Sequence, residues 1–219
     1  MHKPKIKICC ISSLSEAEIA VKYGASAIGL VSEMPSGPGI ISEELIRTIT
    51  KEYYSKVDTF LLTSRLKASE IIEQQKFCGT NTIQICDRIT HDNLILLKEK
   101  IPKIKLVQAL HVHYENTLRE ALDIEKYVDA ILLDSGNQKK EIKELGGTGR
   151  THNWKISKKI VASVSVPVFL AGGLNPANVK NAVEIVNPYG LDVCSGVRTD
   201  GLLDELKLKQ FFEAAGYTK

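Results

Sequence analysis

The residues with chemical potential are a carboxylate and a set of small-residue loops that follow apolar runs. Ala130-Ile131-Leu132-Leu133 stops at Asp134, and the run from Val166 to Ala171 stops at Gly172-Gly173-Leu174-Asn175-Pro176. Leu191-Asp192-Val193-Cys194 stops at Ser195-Gly196, and Gly146-Gly147-Thr148-Gly149 lies between the first two runs. Residues without bulk let backbone N–H groups close on an anion, and a helix starting just after them adds positive potential. A carboxyl and an anion cradle are therefore expected on one rim. Read alone, Asp134 is equally a helix cap or loop anchor, and the glycines are equally tight turns.

The five cysteines, Cys9, Cys10, Cys78, Cys86 and Cys194, are odd in number and form no C-x-x-C pair. That argues against a disulfide framework and against a zinc ribbon. On residue type alone Cys9 reads as a small buried side chain. Strand alternation sends Cys9 and Cys10 to opposite faces, so one of the two thiols is expected to reach the rim. His2, His91, His111, His113 and His152 are scattered, and no metal site is expected.

The elements that must position these residues follow from apolar periodicity. Ile6 to Ile11, Ala25 to Val31, Asp58 to Leu62, Thr82 to Ile85, Ile104 to Leu110, Ala130 to Leu133, Val166 to Ala171 and Leu191 to Cys194 are short apolar runs. Amphipathic stretches separate them: one opening at Ser12-Ser13, then Glu43 to Tyr53, Ala68 to Lys76, His91 to Lys100, Asn116 to Lys126, Asn153 to Ser163 and Asn178 to Val186. A last one, Asp204 to Ala215, closes the series. Strands alternating with helices predict a parallel sheet covered by helices, here an α/β single-domain (β/α)8 TIM barrel over residues 1–219. A doubly wound sheet would place its dominant glycine loop first, whereas here the glycines come late. Pro35-Ser36-Gly37-Pro38-Gly39 must be a loop after the second strand, on the same rim.

Composition fits that reading. A chain of 219 residues with 43% hydrophobic and 25% charged residues buries a core without staples. Its net charge of +3 is spread over 29 basic and 26 acidic residues, with no basic block of the kind nucleic-acid binding needs. The opening Met1-His2-Lys3-Pro4-Lys5 leads into a run too short for a secretory or membrane segment, so a cytoplasmic location is expected.

With these residues in order, the chain resembles the phosphoribosylanthranilate isomerase family of tryptophan biosynthesis over nearly its full length. Lys7-Ile8-Cys9-Cys10-Ile11-Ser12 is similar to the family's opening K-I-C-G-I-T, and Ile83-Gln84-Ile85 to its V-Q-L. Leu133-Asp134-Ser135, the later Gly146-Gly147-Thr148-Gly149 with Asn153-Trp154, Leu170 to Val179, and Leu191 to Val197 resemble four more of its motifs. The resemblance implies an aldose–ketose isomerase, an intramolecular oxidoreductase that carries out an Amadori rearrangement without a cofactor. It implies Cys9 as general base and Asp134 as general acid. It also implies a phosphate cradle of Gly147, Gly149, Gly172, Gly173, Ser195 and Gly196, with Gln84 as a further substrate contact. The expected partner is a small phosphorylated substrate, with no nucleic acid and no membrane, and the expected state is a monomer or homodimer.

The pattern breaks in three places. Where the family reads S-P-R after the second strand, with an arginine for the anthranilate end of the substrate, this chain has Gly37-Pro38-Gly39. The family's H-G after V-Q-L becomes Cys86-Asp87, and its S-G-V-E becomes Ser195-Gly196-Val197-Arg198. Arg198 is therefore a candidate to replace the missing guanidinium from another loop. The alternatives that these changes open are a diverged barrel isomerase for another phosphorylated aminosugar, and a non-catalytic phosphometabolite-binding protein.

Overall fold

The computed structural model describes residues 3–112, 116–136 and 151–217. Parallel strands β1 (Lys5–Ile8), β2 (Ala27–Val31), β3 (Asp58–Thr63), β4 (Thr82–Ile85), β5 (Lys105–His111), β6 (Ala130–Asp134), β7 (Val168–Leu170) and β8 (Gly190–Val193) pair in chain order, and β8 pairs with β1 to close the barrel. Around them lie α1 (Leu14–Lys22), α2 (Glu43–Tyr53), α3 (Ala68–Cys78), α4 (His91–Lys100), α5 (Asn116–Ile124), α6 (Trp154–Ser163), α7 (Val179–Val186) and α8 (Glu205–Ala214). The (β/α)8 TIM barrel read from the periodicity is the fold.

Period-two alternation divides the core into two. Ile6, Ile8, Ile28, Leu30, Leu61, Ile83, Leu106, Ile131, Leu133 and Leu191 face outward and pack with buried helix residues in one apolar cluster. Ala27, Phe60, Leu62, Val107, Ala109, Ala130, Leu132, Phe169 and Ala171 form the other, inside the barrel. Burying one such Ile, Leu or Phe contributes roughly 1.5–3 kcal/mol. Side-chain caps start many of the helices: Ser13, Ser42, Thr90 and Asp204 accept from the backbone N–H of Glu16, Leu45, Asn93 and Lys207.

Two local departures from regular alternation matter for the site. β1 ends at Ile8, although the apolar run continues to Ile11. Cys9 N–H still donates to Val193 O and Ile11 N–H to Gly29 O, with Cys10 inserted between them at φ +63°. Cys10 thus behaves as the extra residue of a bulge, and the alternation resets there. After β8 the chain makes a 3-10 turn at Ser195–Val197, then a small antiparallel hairpin of β9 (Arg198–Thr199) and β10 (Leu202–Leu203). Asp200 and Gly201, both at positive φ, form its turn.

Candidate active site

The C-terminal ends of the strands surround a cavity of about 610 Å³, open mouth included. Cys9 and Cys10 come from the end of β1, Gln84 and Cys86 from β4, Asp134 from β6, Gly172 and Gly173 from the loop after β7, and Asp192, Cys194 and Ser195 from β8 and its exit. Both adjacent thiols line this cavity, which corrects the expectation that alternation admits only one. The reason is the left-handed insertion at Cys10, which breaks the period of two.

Asp134 is buried, and its Oδ1 accepts from Ser135 N–H at 2.6 Å. Burial, helped by the nearby Asp192 charge, raises the carboxyl to about 6, against the opposing pull of the Ser135 hydrogen bonds and the Lys7 charge. A carboxylic acid with that setting holds its proton in mildly acidic water, as a general acid must. Across the cavity, Cys9 Sγ lies 3.5 Å from Lys7 Nζ, which also donates to Asp192 Oδ1 at 2.9 Å. Lys7 and Asp192 did not figure among the expected site residues. Their signal was present, since alternation from Cys9 puts Lys7 on the same face of β1, and a lysine inside a barrel needs an anion.

Gln84 turns its amide into the cavity, and its Oε1 is buried without a hydrogen-bond donor among the described residues. Gly172 and Gly173 take φ values of +83° and +62°, so their backbone adopts a conformation that other residues enter at a cost. Gly196 is required for space, because a Cβ there would lie 1.9 Å from Leu174 O. Gly147 and Gly149 lie outside the described residues.

The matching family model is that of N-(5'phosphoribosyl)anthranilate (PRA) isomerase, and it spans residues 6–214. The chain is 36% identical over 213 residues to N-(5'-phosphoribosyl)anthranilate isomerase 2 of Methanosarcina mazei, covering 96% of this chain and 93% of that protein. The chain belongs to the phosphoribosylanthranilate isomerase family. Among solved structures, phosphoribosyl anthranilate isomerase from Thermotoga maritima superimposes with a TM-score of 0.83 at 28% identity, covering 97% of this chain and 98% of that one. A phosphoribosyl anthranilate isomerase in complex with reduced 1-(o-carboxyphenylamino)-1-deoxyribulose 5-phosphate matches at TM-score 0.81 and 27% identity, with the same coverage.

The three departures from the phosphoribosylanthranilate isomerase pattern have distinct structural outcomes. Gly39 is packed against the inserted cysteine, and a Cβ at Gly39 would sit 2.5 Å from Cys10 Cβ. Asp87 is buried, accepts from Arg88 N–H at 2.8 Å and does not line the cavity. Arg198 does not line it either. Its guanidinium forks onto Glu16 at 2.8 and 3.0 Å, donates to Gly201 O at 2.9 Å and reaches the carbonyls of Cys9 and Cys10. Arg198 therefore braces the β1 exit, and the idea that it replaces the absent arginine as a substrate contact is corrected: it does not line the cavity, and both of its terminal nitrogens are engaged by Glu16 and backbone carbonyls. Glu16 also accepts from Ser12 N–H and Leu203 N–H; these bonds and Arg198 outweigh burial and hold its carboxyl below the usual range.

Beside the Cys9 thiol, the Cys10 and Cys194 sulfurs lie 2.7 Å apart. Their mutual hydrogen bond, with burial, pushes Cys10 up, while that bond and the Arg198 charge bring Cys194 down. Among the described residues no group of three or more His, Cys, Asp and Glu side chains has the geometry to hold a metal, and no helix is long and apolar enough to cross a membrane.

Proposed function

We propose that the chain catalyses the Amadori rearrangement of N-(5'-phosphoribosyl)anthranilate to the 1-deoxyribulose 5-phosphate product, with Asp134 as general acid and Cys9 as general base. The observation that carries these roles is a protonatable carboxyl from β6 and a thiol from the β1 exit on the wall of one cavity. Asp134 donates its proton to the ribose ring oxygen, the C1–O bond breaks, and the anilino nitrogen supplies the electron pair that makes the open-chain Schiff base. Cys9 as thiolate then removes the C2 proton, giving an enolamine. Ketonisation moves the proton of the 2-hydroxyl, through solvent, to C1. A proton passing from the Cys9 thiol to the Asp134 carboxylate restores both groups, so the sequence is balanced without an oxidant or cofactor.

The backbone around Gly172, Gly173, Ser195 and Gly196 binds the phosphate in this reading, because these loops lie after strands seven and eight, where barrels offer N–H groups to anions. Gly147 and Gly149 belong to the same cradle by resemblance. Gln84 Oε1 accepts from a sugar hydroxyl. The enzyme acts as one unit over residues 1–219, in the cytoplasm, as a monomer or homodimer, on a small phosphorylated substrate and without nucleic acid.

The purified protein turning over N-(5'-phosphoribosyl)anthranilate is the test of the activity. Asp134→Asn and Cys9→Ala are each expected to lower kcat by about 10²-fold or more. Turnover at the unaltered rate in both variants rejects the roles, and no turnover in the unaltered protein rejects the substrate.

A further inference from the structure

Inside the barrel, one layer below the thiol, lies a fully buried ammonium that the rearrangement does not itself consume. Lys7 is 0% exposed. An ion pair at such depth is costly to assemble, and hydrophobic residues of similar volume would commonly serve stability as well or better. The pair is also not confined to two partners. Lys7 Nζ lies 2.9 Å from Asp192 Oδ1, 3.5 Å from Cys9 Sγ and 5.1 Å from the centre of the Phe60 ring. Space for the contact is made by Gly29, where a Cβ would fall 2.9 Å from Cys9 Sγ and 3.1 Å from Lys7 Nζ. A side chain at position 29 would drive the ammonium and the sulfur apart.

We propose that Lys7 is a positioning residue that holds Cys9 in its thiolate form, and that Asp192 aims the ammonium at the sulfur. The proposal rests on the reading of Cys9 as the base. An adjacent cation favours a thiolate over a thiol, and a carboxylate next to that cation fixes its place while partly offsetting its charge. Among the described residues, the other groups around the sulfur supply no such cation at the cavity wall. Cys86, from the end of β4, is neutral, its thiol pushed up to about 12 by burial. Cys10 is raised and Asp134, from β6, works in its protonated form. Cys194 pairs with Cys10, and Arg198 addresses the carbonyl of Cys9 at 3.3 Å rather than its sulfur.

The test measures alkylation of Cys9 by iodoacetamide against pH, in a Cys10→Gly background so that the tryptic peptide carries a single thiol. Asp192→Asn leaves the ammonium to the sulfur alone, and the pH of half-maximal reactivity is expected to fall. Lys7→Met/Asp192→Asn removes both charges without leaving one unpaired, and the midpoint is expected to rise by about one unit or more, with roughly tenfold slower alkylation near neutrality. The acidic limb of kcat/KM is expected to follow the same two directions. Superimposable alkylation profiles in both folded variants overturn the proposal and leave Lys7 a structural ion pair. If Cys9→Ala keeps full turnover, the base reading itself fails, and the catalytic meaning of Lys7 fails with it. If Cys9→Ala is inactive while the profiles do not move, only the Lys7 proposal fails.

Discussion

At Asp134 the proposed acid role and the stability of the fold draw on the same carboxyl. Its folded-state value, raised to about 6 chiefly by burial, lies above the ordinary value of 3.8. The folded protein therefore binds this proton more tightly than the unfolded chain, so the associated stability is fully present below about pH 4 and is lost as pH rises through about 6. Asp134→Asn removes that dependence. Urea unfolding is expected to show the variant gaining on the order of 2–3 kcal/mol relative to the unaltered protein at pH 8 compared with pH 4. Gln84 gives a second case of stability set against function. Its buried Oε1 lacks a donor among the described residues, so Gln84→Leu is expected to raise stability by about 1 kcal/mol and to raise KM severalfold. Asp134 stood out in the sequence because it ends a short apolar run, whereas Gln84 was singled out only through the resemblance; both line the cavity. Cys10 was not legible, because its placement depends on one left-handed residue between two maintained ladder hydrogen bonds.

Among the elements, the exit of β1 and the hairpin of β9 and β10 are joined by a carboxylate on α1. Glu16 receives Arg198, Ser12 N–H and Leu203 N–H, so two segments distant in sequence, residues 12–16 and 198–203, share one buried anion. Arg198→Met leaves that anion unpaired and is expected to cost about 3–5 kcal/mol in denaturant unfolding. The double variant with Glu16→Gln is expected to cost less than the sum of the two single changes. Glu16 is held below the usual carboxylate range, so its contribution is present above that range and is lost as pH falls through it. The positions of the strands and helices came through in the sequence because apolar periods and capping serines are local signals. The hairpin carried a local signal too, in Asp200-Gly201, but its flanking strands are two residues each and show no period to read. The outcome for Arg198 was hidden for a different reason: its partner Glu16 is far away in the chain, and only the closed barrel brings them together.

For the whole molecule, the late glycine loops and the early thiol meet because β8 returns to β1. A ligand gripping those loops stabilises the folded chain over the unfolded one. Inorganic phosphate or ribose 5-phosphate at a hundred times its dissociation constant is expected to add about 2.7 kcal/mol, read as a rise in Tm. A Tm unmoved by either ligand at concentrations that inhibit turnover would count against the cradle. The contact between Cys10 and Gly39 also bears on how such a chain can change over generations. In the pattern this chain resembles, the two positions carry glycine and arginine; here they carry cysteine and glycine, so the side chain occupying that gap comes from the opposite loop. With 2.5 Å between Cys10 Cβ and a Cβ placed at Gly39, and with Gly39 at φ +76°, both side chains fit only if the backbone of one loop shifts. A substitution that puts a side chain at position 39 is therefore expected to be tolerated only together with Cys10→Gly, read as recovery of Tm in the double variant.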